Sequence, residues 1–263
     1  MVRNLSKAQQ YHLQEDTVRV IFVGIHTLKP QVMLDGFALE KEHLVNGCHL
    51  DKLYHNEIWV IGNGESRKTF DLHSIDSHII GCNAIHREFV CDQIVAVDRR
   101  MVTEIVANAD YTSIPVYTRP NWIGDFTQYP NVKLLPELPY KGPERRDDPW
   151  HWNTGPFAIV IACYMNPKTV NLLGFDLYSV NNKLNNVYKD TRNYGKTKDT
   201  PVDHSYWLYH LKRIYDCFPE INFVIHNVEN WQMPSEWMDT KNLTFKTISV
   251  NIHYADLGIH PAI

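Results

Sequence analysis

Hydrophobic positions in this chain fall into short unbroken runs separated by polar stretches. IWVIG (58–62), HIIGCN (78–83), QIVAVD (93–98), PVYT (115–118), TVNLLGFD (169–176) and INFVIHN (221–227) are rich in β-branched residues and bounded by turn-forming ones. Runs that are apolar at nearly every position predict strands covered on both faces, as in parallel sheets. VRVIFVGI (18–25) is a further strand candidate, and VKLLPEL (132–138) reads as extended. Helices are expected over 66–74, 99–109 and 154–165, the last with a proline near its start and a long apolar run. Thr200-Pro201-Val202-Asp203 predicts another helix start, with Thr as cap, Pro at the first position and Asp203 bonding back. That helix is expected to reach about Cys217, with Leu208, Leu211, Tyr215 and Phe218 on one stripe. Alternating strands and helices predict an α/β fold with a doubly wound, mostly parallel sheet.

The remaining stretches are less regular. Residues 1–16 read as a polar, helical lead, and 26–56 show no clear period. PYKGPERRDDPW (139–150) is expected as a mobile loop, and the Asn-, Lys- and Tyr-rich stretch 177–200 as a lid or ordered loop. The organisation expected is an N-terminal extension, 1–56, with one strand candidate, followed by a main domain, 57–263.

Composition narrows the function classes. A length of 263 residues with 44% hydrophobic and 21% charged positions suits one large globular domain with an extension. A net charge of −4 provides no general attraction for nucleic acid or an anionic membrane, so no nucleic-acid partner is expected. No run reaches the roughly 20 apolar residues of a membrane span, and MVRNLSKAQQYHLQ lacks the apolar core of a signal peptide. The five cysteines form no CxxC, and three lie in apolar runs, which fits packed thiols in a reducing, cytoplasmic compartment. No metal is expected: HExxH and CxxC are absent, and His43, Cys48, His49 and His55 match no standard spacing.

Candidate chemistry gathers at the ends of the predicted strands. Gly62-Asn63-Gly64-Glu65-Ser66 follows the strand at 58, where a glycine turn lets a phosphate approach backbone amides. It is neither GxGxxG, because Arg67 replaces the third glycine, nor a Walker A loop. Asn83 ends the next strand, Asp98 the third, Asn153-Thr154-Gly155 opens the helix at 154, and Gly174-Phe175-Asp176-Leu177-Tyr178 closes the strand at 169. Asn and Asp end strands by turn chemistry in any case, but five such ends on one sheet edge form a cleft pattern. His204, at the expected helix start, suits a neutral general base, although it also continues the apolar stripe. YKGPERRDDPWHW (140–152) offers Trp150 and Trp152 as stacking faces and Arg145 and Arg146 as anion contacts, fitting a sugar clamp or an interaction loop.

The ordered set GNGES (62–66), GCN (81–83), NTG (153–155) and GFDLY (174–178) resembles the small bacterial sialyltransferases that use CMP-sialic acid, and related Rossmann-like, pterin pyrophosphokinase-like proteins, over about residues 57–230. The resemblance implies a Rossmann-like, sialyltransferase-like GT-A variant that transfers a sugar from a CMP-sugar to a hydroxyl acceptor with inversion and without a cofactor or metal. By the same resemblance Gly62, Asn63, Gly64, Ser66 and Asn83 would contact the nucleotide, and Thr154, Gly155 and Asp176 would line the donor site. Tyr178, with Tyr188 or Tyr194, would stabilise the leaving phosphate, and His204 would stand in as base. The chain departs from the family at two places. Lys196 occupies the family's histidine position, and Asp98 stands where an asparagine is expected, repelling phosphate unless Arg99 or Arg100 offsets it. Two alternatives stay open. One is a catalytically inactive structural component that assembles, as a homo-oligomer or with other proteins, through 1–56. The other is a pterin pyrophosphokinase-like enzyme.

Overall fold

The computed structural model describes residues 11–12, 17–21, 31–34, 37–39, 55–179 and 183–248. The chain divides into two units, 1–52 and 53–263. In the first, β1 (Tyr11–His12), β2 (Thr17–Ile21), β3 (Gln31–Leu34) and β4 (Phe37–Leu39) form an antiparallel sheet in that order. Three strands therefore accompany the single one expected. The expected strand at 18–25 overlaps β2, and its residues 22–25 lie outside the described residues, as does the helical lead apart from β1.

The second unit is built on eight strands: β5 (Glu57–Ile61), β6 (His78–Cys82), β7 (Gln93–Val95), β8 (Val116–Thr118), β9 (Val132–Leu134), β10 (Thr169–Leu173), β11 (Asn222–Asn227) and β12 (Leu243–Thr247). Their order is β12-β11-β10-β5-β6-β7-β8-β9, and every neighbouring pair is parallel. From β5 the chain steps outward to β9, returns across the sheet, and steps outward again from β10 to β12. The winding thus reverses between β5 and β10, which makes the unit a doubly wound α/β fold with its switch point there. β6, β7 and β8 are buried along their whole length, which explains their uninterrupted apolar runs.

Among the described residues four α-helices accompany the sheet: α1 (Arg99–Val106), α2 (Pro120–Ile123), α3 (Thr154–Tyr164) and α4 (Ser205–Cys217). α1 is amphipathic and buries Met101, Val102, Ile105 and Val106. α3 is apolar on all sides because it is enclosed on all sides, packing on β5, β6, β7 and β10 and against α4. Three expectations are corrected. The helix over 66–74 is two short 3₁₀ turns, 65–69 and 72–74. α4 begins at Ser205, because Asp203 accepts the Ser205 amide (2.9 Å) and hydroxyl (3.0 Å) through its own side chain. The 139–150 loop is pinned: Asp147 is buried and accepts the Tyr140 hydroxyl (3.0 Å), the Tyr209 hydroxyl (2.7 Å) and the Glu144 amide (2.9 Å).

Candidate active site

The ends of β5 and β10 are stitched together at the switch point. The Gly62 amide donates to the Leu173 carbonyl and the Gly64 amide to the Gly174 carbonyl, both at 2.8 Å. Gly174 takes a φ of 73°, which only glycine adopts without cost. A Cβ on residue 64 would lie 2.3 Å from Asp176 Oδ1 and 2.7 Å from the Gly174 carbonyl oxygen, so glycine is required there by close packing. The Asp176 carboxylate turns inward: Oδ2 accepts the Ser66 amide at 2.9 Å and Oδ1 accepts the Ser66 hydroxyl. The Glu65 amide, meanwhile, donates to Asn185 Oδ1 at 2.8 Å. The amides of Gly62, Gly64, Glu65 and Ser66 are therefore engaged within the protein. They tie two strand ends and a later loop together.

The donors available to a ligand lie elsewhere on the same edge. A cavity of ≈ 540 Å³ opens at the switch point, lined by Gly62, Asn63, Gly64, Asn83, Asp98, Asn153, Thr154, Gly155, Asp176, Tyr178 and Tyr194 among others. α3 starts in this cavity with no side-chain cap from Asn153, and the Thr154 and Gly155 amides make no hydrogen bond among the described residues. Thr154 is buried and its Oγ1 donates to Asn83 Oδ1 at 2.9 Å, which joins the end of β6 to the start of α3. Asn83 holds a φ of 52°, a left-handed conformation that Asn accepts more readily than most residues.

Asn63 Nδ2 donates to the Tyr194 hydroxyl at 3.0 Å, and the Ala84 amide donates to the same oxygen at 3.4 Å. Both bonds fall on the oxygen, so the Tyr194 proton is available to a ligand. Asn63 Oδ1 is buried and has no partner among the described residues. Burial pushes the Tyr194 hydroxyl well above its ordinary range, and burial followed by the field of Glu236 raises Tyr178. Both phenols therefore remain protonated donors at neutral pH. Leu177 has a φ of 65°, costing on the order of 1–2 kcal/mol for a bulky residue. The kink precedes Tyr178 as it joins the lining.

The structure brings most of the expected residues together: Gly62, Asn63, Gly64, Asn83, Thr154, Gly155, Asp176 and Tyr178 all border the cavity. Ser66, Tyr188 and His204 do not. Ser66 is buried behind the turn on Asp176. Tyr188 is buried, its hydroxyl accepting from Arg67 Nη2 at 2.7 Å and donating to Glu88. His204 immediately precedes α4, half-buried and edge-on to Tyr178 with ring centroids 5.0 Å apart. Lys196 is exposed and also outside the lining, while Arg99 is paired to Asp125 at 2.6 Å. The Asp98 carboxylate is exposed at the cavity and makes no hydrogen bond among the described residues. Asn185 was not among the sequence candidates. It bridges the glycine turn to the Tyr178 carbonyl (2.8 Å), a role visible only once two loops distant in sequence are seen to meet.

Among the described residues no group of three or more His, Cys, Asp or Glu side chains is arranged to hold a metal ion. His43, Cys48 and His49 lie outside the described residues. No described helix is long and apolar enough to cross a membrane. No protein-family model matches the chain, and no curated protein matches it. Among solved structures, the monofunctional alpha-2,3-sialyltransferase Cst-I from Campylobacter jejuni is similar at 13% identity and a TM-score of 0.46, over 65% of this chain and 75% of that one. A likeness at that level says nothing of donor or activity, and the α/β assignment stands on the sheet topology.

Proposed function

We propose that the switch-point cavity binds a nucleotide-activated sugar, with a CMP-sugar as the favoured donor, and that the protein transfers the sugar to a hydroxyl acceptor. The observation that carries this reading is the uncapped start of α3 opening into the cavity beside two protonated tyrosines. Free first-turn amides and the helix dipole favour an anion by about 0.3–1 kcal/mol at an exposed site and up to ~2 kcal/mol when partly buried. The phosphate would sit on the Thr154 and Gly155 amides. Asn63 and Asn83 would address the nucleoside, the unpaired Asn63 Oδ1 accepting from an amine or hydroxyl. In the transfer, the acceptor oxygen bonds to the anomeric carbon from the face opposite the phosphate. The carbon–oxygen bond to phosphate breaks, and its electron pair leaves with CMP, whose growing charge Tyr178 and Tyr194 stabilise. The acceptor proton passes to a carboxylate, for which Asp98 is the unengaged group on the lining.

Calorimetric titration with CMP and CDP, with UDP, GDP and ATP as controls, tests the reading. Cytidine-selective binding, weakened about tenfold (~1.4 kcal/mol) by Tyr194→Phe or Asn83→Ala, is expected. Absence of binding by every nucleotide would sink it. A second reading, a non-catalytic protein of the same fold, is favoured by one observation: both positions expected to hold the base, 196 and 204, stand off the lining. In that reading cytidine binding is lost or survives without transfer, and residues 1–56 serve assembly. The pterin pyrophosphokinase alternative gains nothing at the turn, where Lys68 is exposed and paired with Glu65 at 2.5 Å.

A further inference from the structure

A second cavity, ≈ 720 Å³, lies beside the C-terminal ends of β8 and β9 and has no part in the nucleotide reading. Its wall includes Trp150, which at 48% exposure is the single exposed Trp, Tyr or Phe among the described residues. This ring is held in place on a rigid base. Asp148 caps its 3₁₀ turn by accepting the Trp150 amide at 2.9 Å, and the Arg119 guanidinium lies over the ring at 4.9 Å from its centre. Trp122 packs beside it at 6.4 Å and is itself fixed by donating to the Val97 carbonyl at 2.9 Å. Beneath, the buried Asp147 knot fastens the whole 140–152 segment to α4, and Trp152, fully buried, stacks on His210 at 4.5 Å. An exposed tryptophan on so ordered a turn is a preformed stacking platform.

The polar groups around it set the ligand class. Arg119 has no ion pair among the described residues; Nη2 donates to the Trp152 carbonyl at 2.5 Å. Lys141 is the other cation on the wall, against the carboxylates of Glu137, Glu144, Asp147 and Asp148. Glu144 is paired to Arg146 at 2.6 Å and the buried Asp147 is taken up by its three donors, so Glu137 and Asp148 balance Arg119 and Lys141 and the wall favours neither an anion nor a cation. Donors and acceptors interleaved around one aromatic face suit the alternating hydroxyls of a pyranose, whose C–H face stacks on an indole.

We propose that this groove is a binding site for a neutral carbohydrate, with a sugar ring stacked on Trp150 and its hydroxyls met by Arg119, Asn121 and the exposed carboxylates of Glu137 and Asp148. The carbonyl that Arg119 holds belongs to Trp152, the residue before Asn153 on the nucleotide cavity, so the backbone at 152–153 links the two sites. That the bound sugar is the acceptor of the transfer rests on the nucleotide reading; that the groove binds sugar does not.

The test is a titration of the full chain with lactose, maltose and cellobiose into the tens of millimolar, followed by tryptophan fluorescence and saturation-transfer NMR, with CMP titrated in parallel. At least one disaccharide is expected to bind. Trp150→Ala should weaken it tenfold or more, Trp150→Phe less, and CMP affinity should be unchanged in both. No binding of any of the three, or equal binding by wild type and Trp150→Ala, would overturn the proposal. Disaccharide binding without any CMP binding would uphold the sugar site and refute the nucleotide reading, so the two failures are distinguishable. Circular dichroism confirms that the variants fold, and Asn121→Ala provides a second variant expected to weaken the same disaccharide.

Discussion

Replacing Asp176 by Ala perturbs the joint between β5 and β10 without touching the rest of the cavity. The carboxylate accepts two hydrogen bonds from Ser66, one from its amide at 2.9 Å and one from its hydroxyl, and the pair is buried. Hydrogen bonds to a charged acceptor contribute about 1.5–3 kcal/mol each, and a buried amide left unpaired carries a desolvation cost of about 1–3 kcal/mol. These estimates overlap, so Asp176→Ala is expected to lower stability by about 3–5 kcal/mol. At about 2–4 °C per kcal/mol for a unit of this size, the midpoint should fall by roughly 6–20 °C. Asp176→Asn keeps an acceptor and the shape, and should cost about 1–2 kcal/mol. Ser66→Ala removes only the hydroxyl bond. In a double-mutant cycle with Asp176→Ala the two should couple by about 1–2 kcal/mol. Urea unfolding of the five proteins reads the free energies, and thermal melts read the midpoints. A loss below 1 kcal/mol for Asp176→Ala, or additivity with Ser66→Ala, would refute the view that Asp176 serves the joint, and would return it to the ligand.

The remaining predictions concern the loops and the buried histidines. Tyr188→Phe should cost about 1.5–3 kcal/mol, because the hydroxyl bonds both members of the Arg67–Glu88 pair, yet leave CMP affinity unchanged; Tyr194→Phe leaves Asn63 Nδ2 and the Ala84 amide unpaired, should cost about 1–3 kcal/mol and should also weaken CMP about tenfold, so calorimetry separates the two. Asp147→Ala should release the 140–152 segment, at a cost of about 3–5 kcal/mol, and open it to limited proteolysis before the rest of the chain. Burial pushes His210 and His226 down to about 4, Lys246 adding to the latter. Both imidazoles are neutral in the fold and gain a proton on unfolding below about 6.5, so their contribution is fully present above that pH. It declines as pH falls from there towards 4, at about 1.4 kcal/mol per pH unit for each group. Unfolding midpoints between pH 7 and 4.5 should show that slope, and His210→Gln should reduce it.

The sheet was largely legible in the sequence because its strands are buried on both faces. β6, β7 and β8 have no polar interruption, and α3 could be read from an apolar run too long for a strand. β12 was not foreseen, since LTFKT sits at the sheet edge with one buried position and carries little apolar signal. The start of α4 was misplaced because Thr200-Pro201 presents every local cap signal, while Asp203 forms the turn that prevails. The glycine turn shows the deeper limit. Its spacing suggests a phosphate cradle, but partners that occupy its amides, Gly174 and Asp176, come from the turn after β10, some 110 residues later. Nor could the sequence choose between Tyr188 and Tyr194. The chain between them turns through left-handed backbone at Asp190 and Asn193, which faces one ring toward Arg67 and the other into the cavity.

The most direct measurement is an amide-resolved NMR titration of the protein with CMP. If the phosphate sits on the start of α3, the Thr154 and Gly155 amides should show the largest shifts, while Gly62, Gly64 and Ser66, already bonded within the protein, should move little. Largest shifts at the glycine turn, or no amide moving at saturating CMP, would contradict the account.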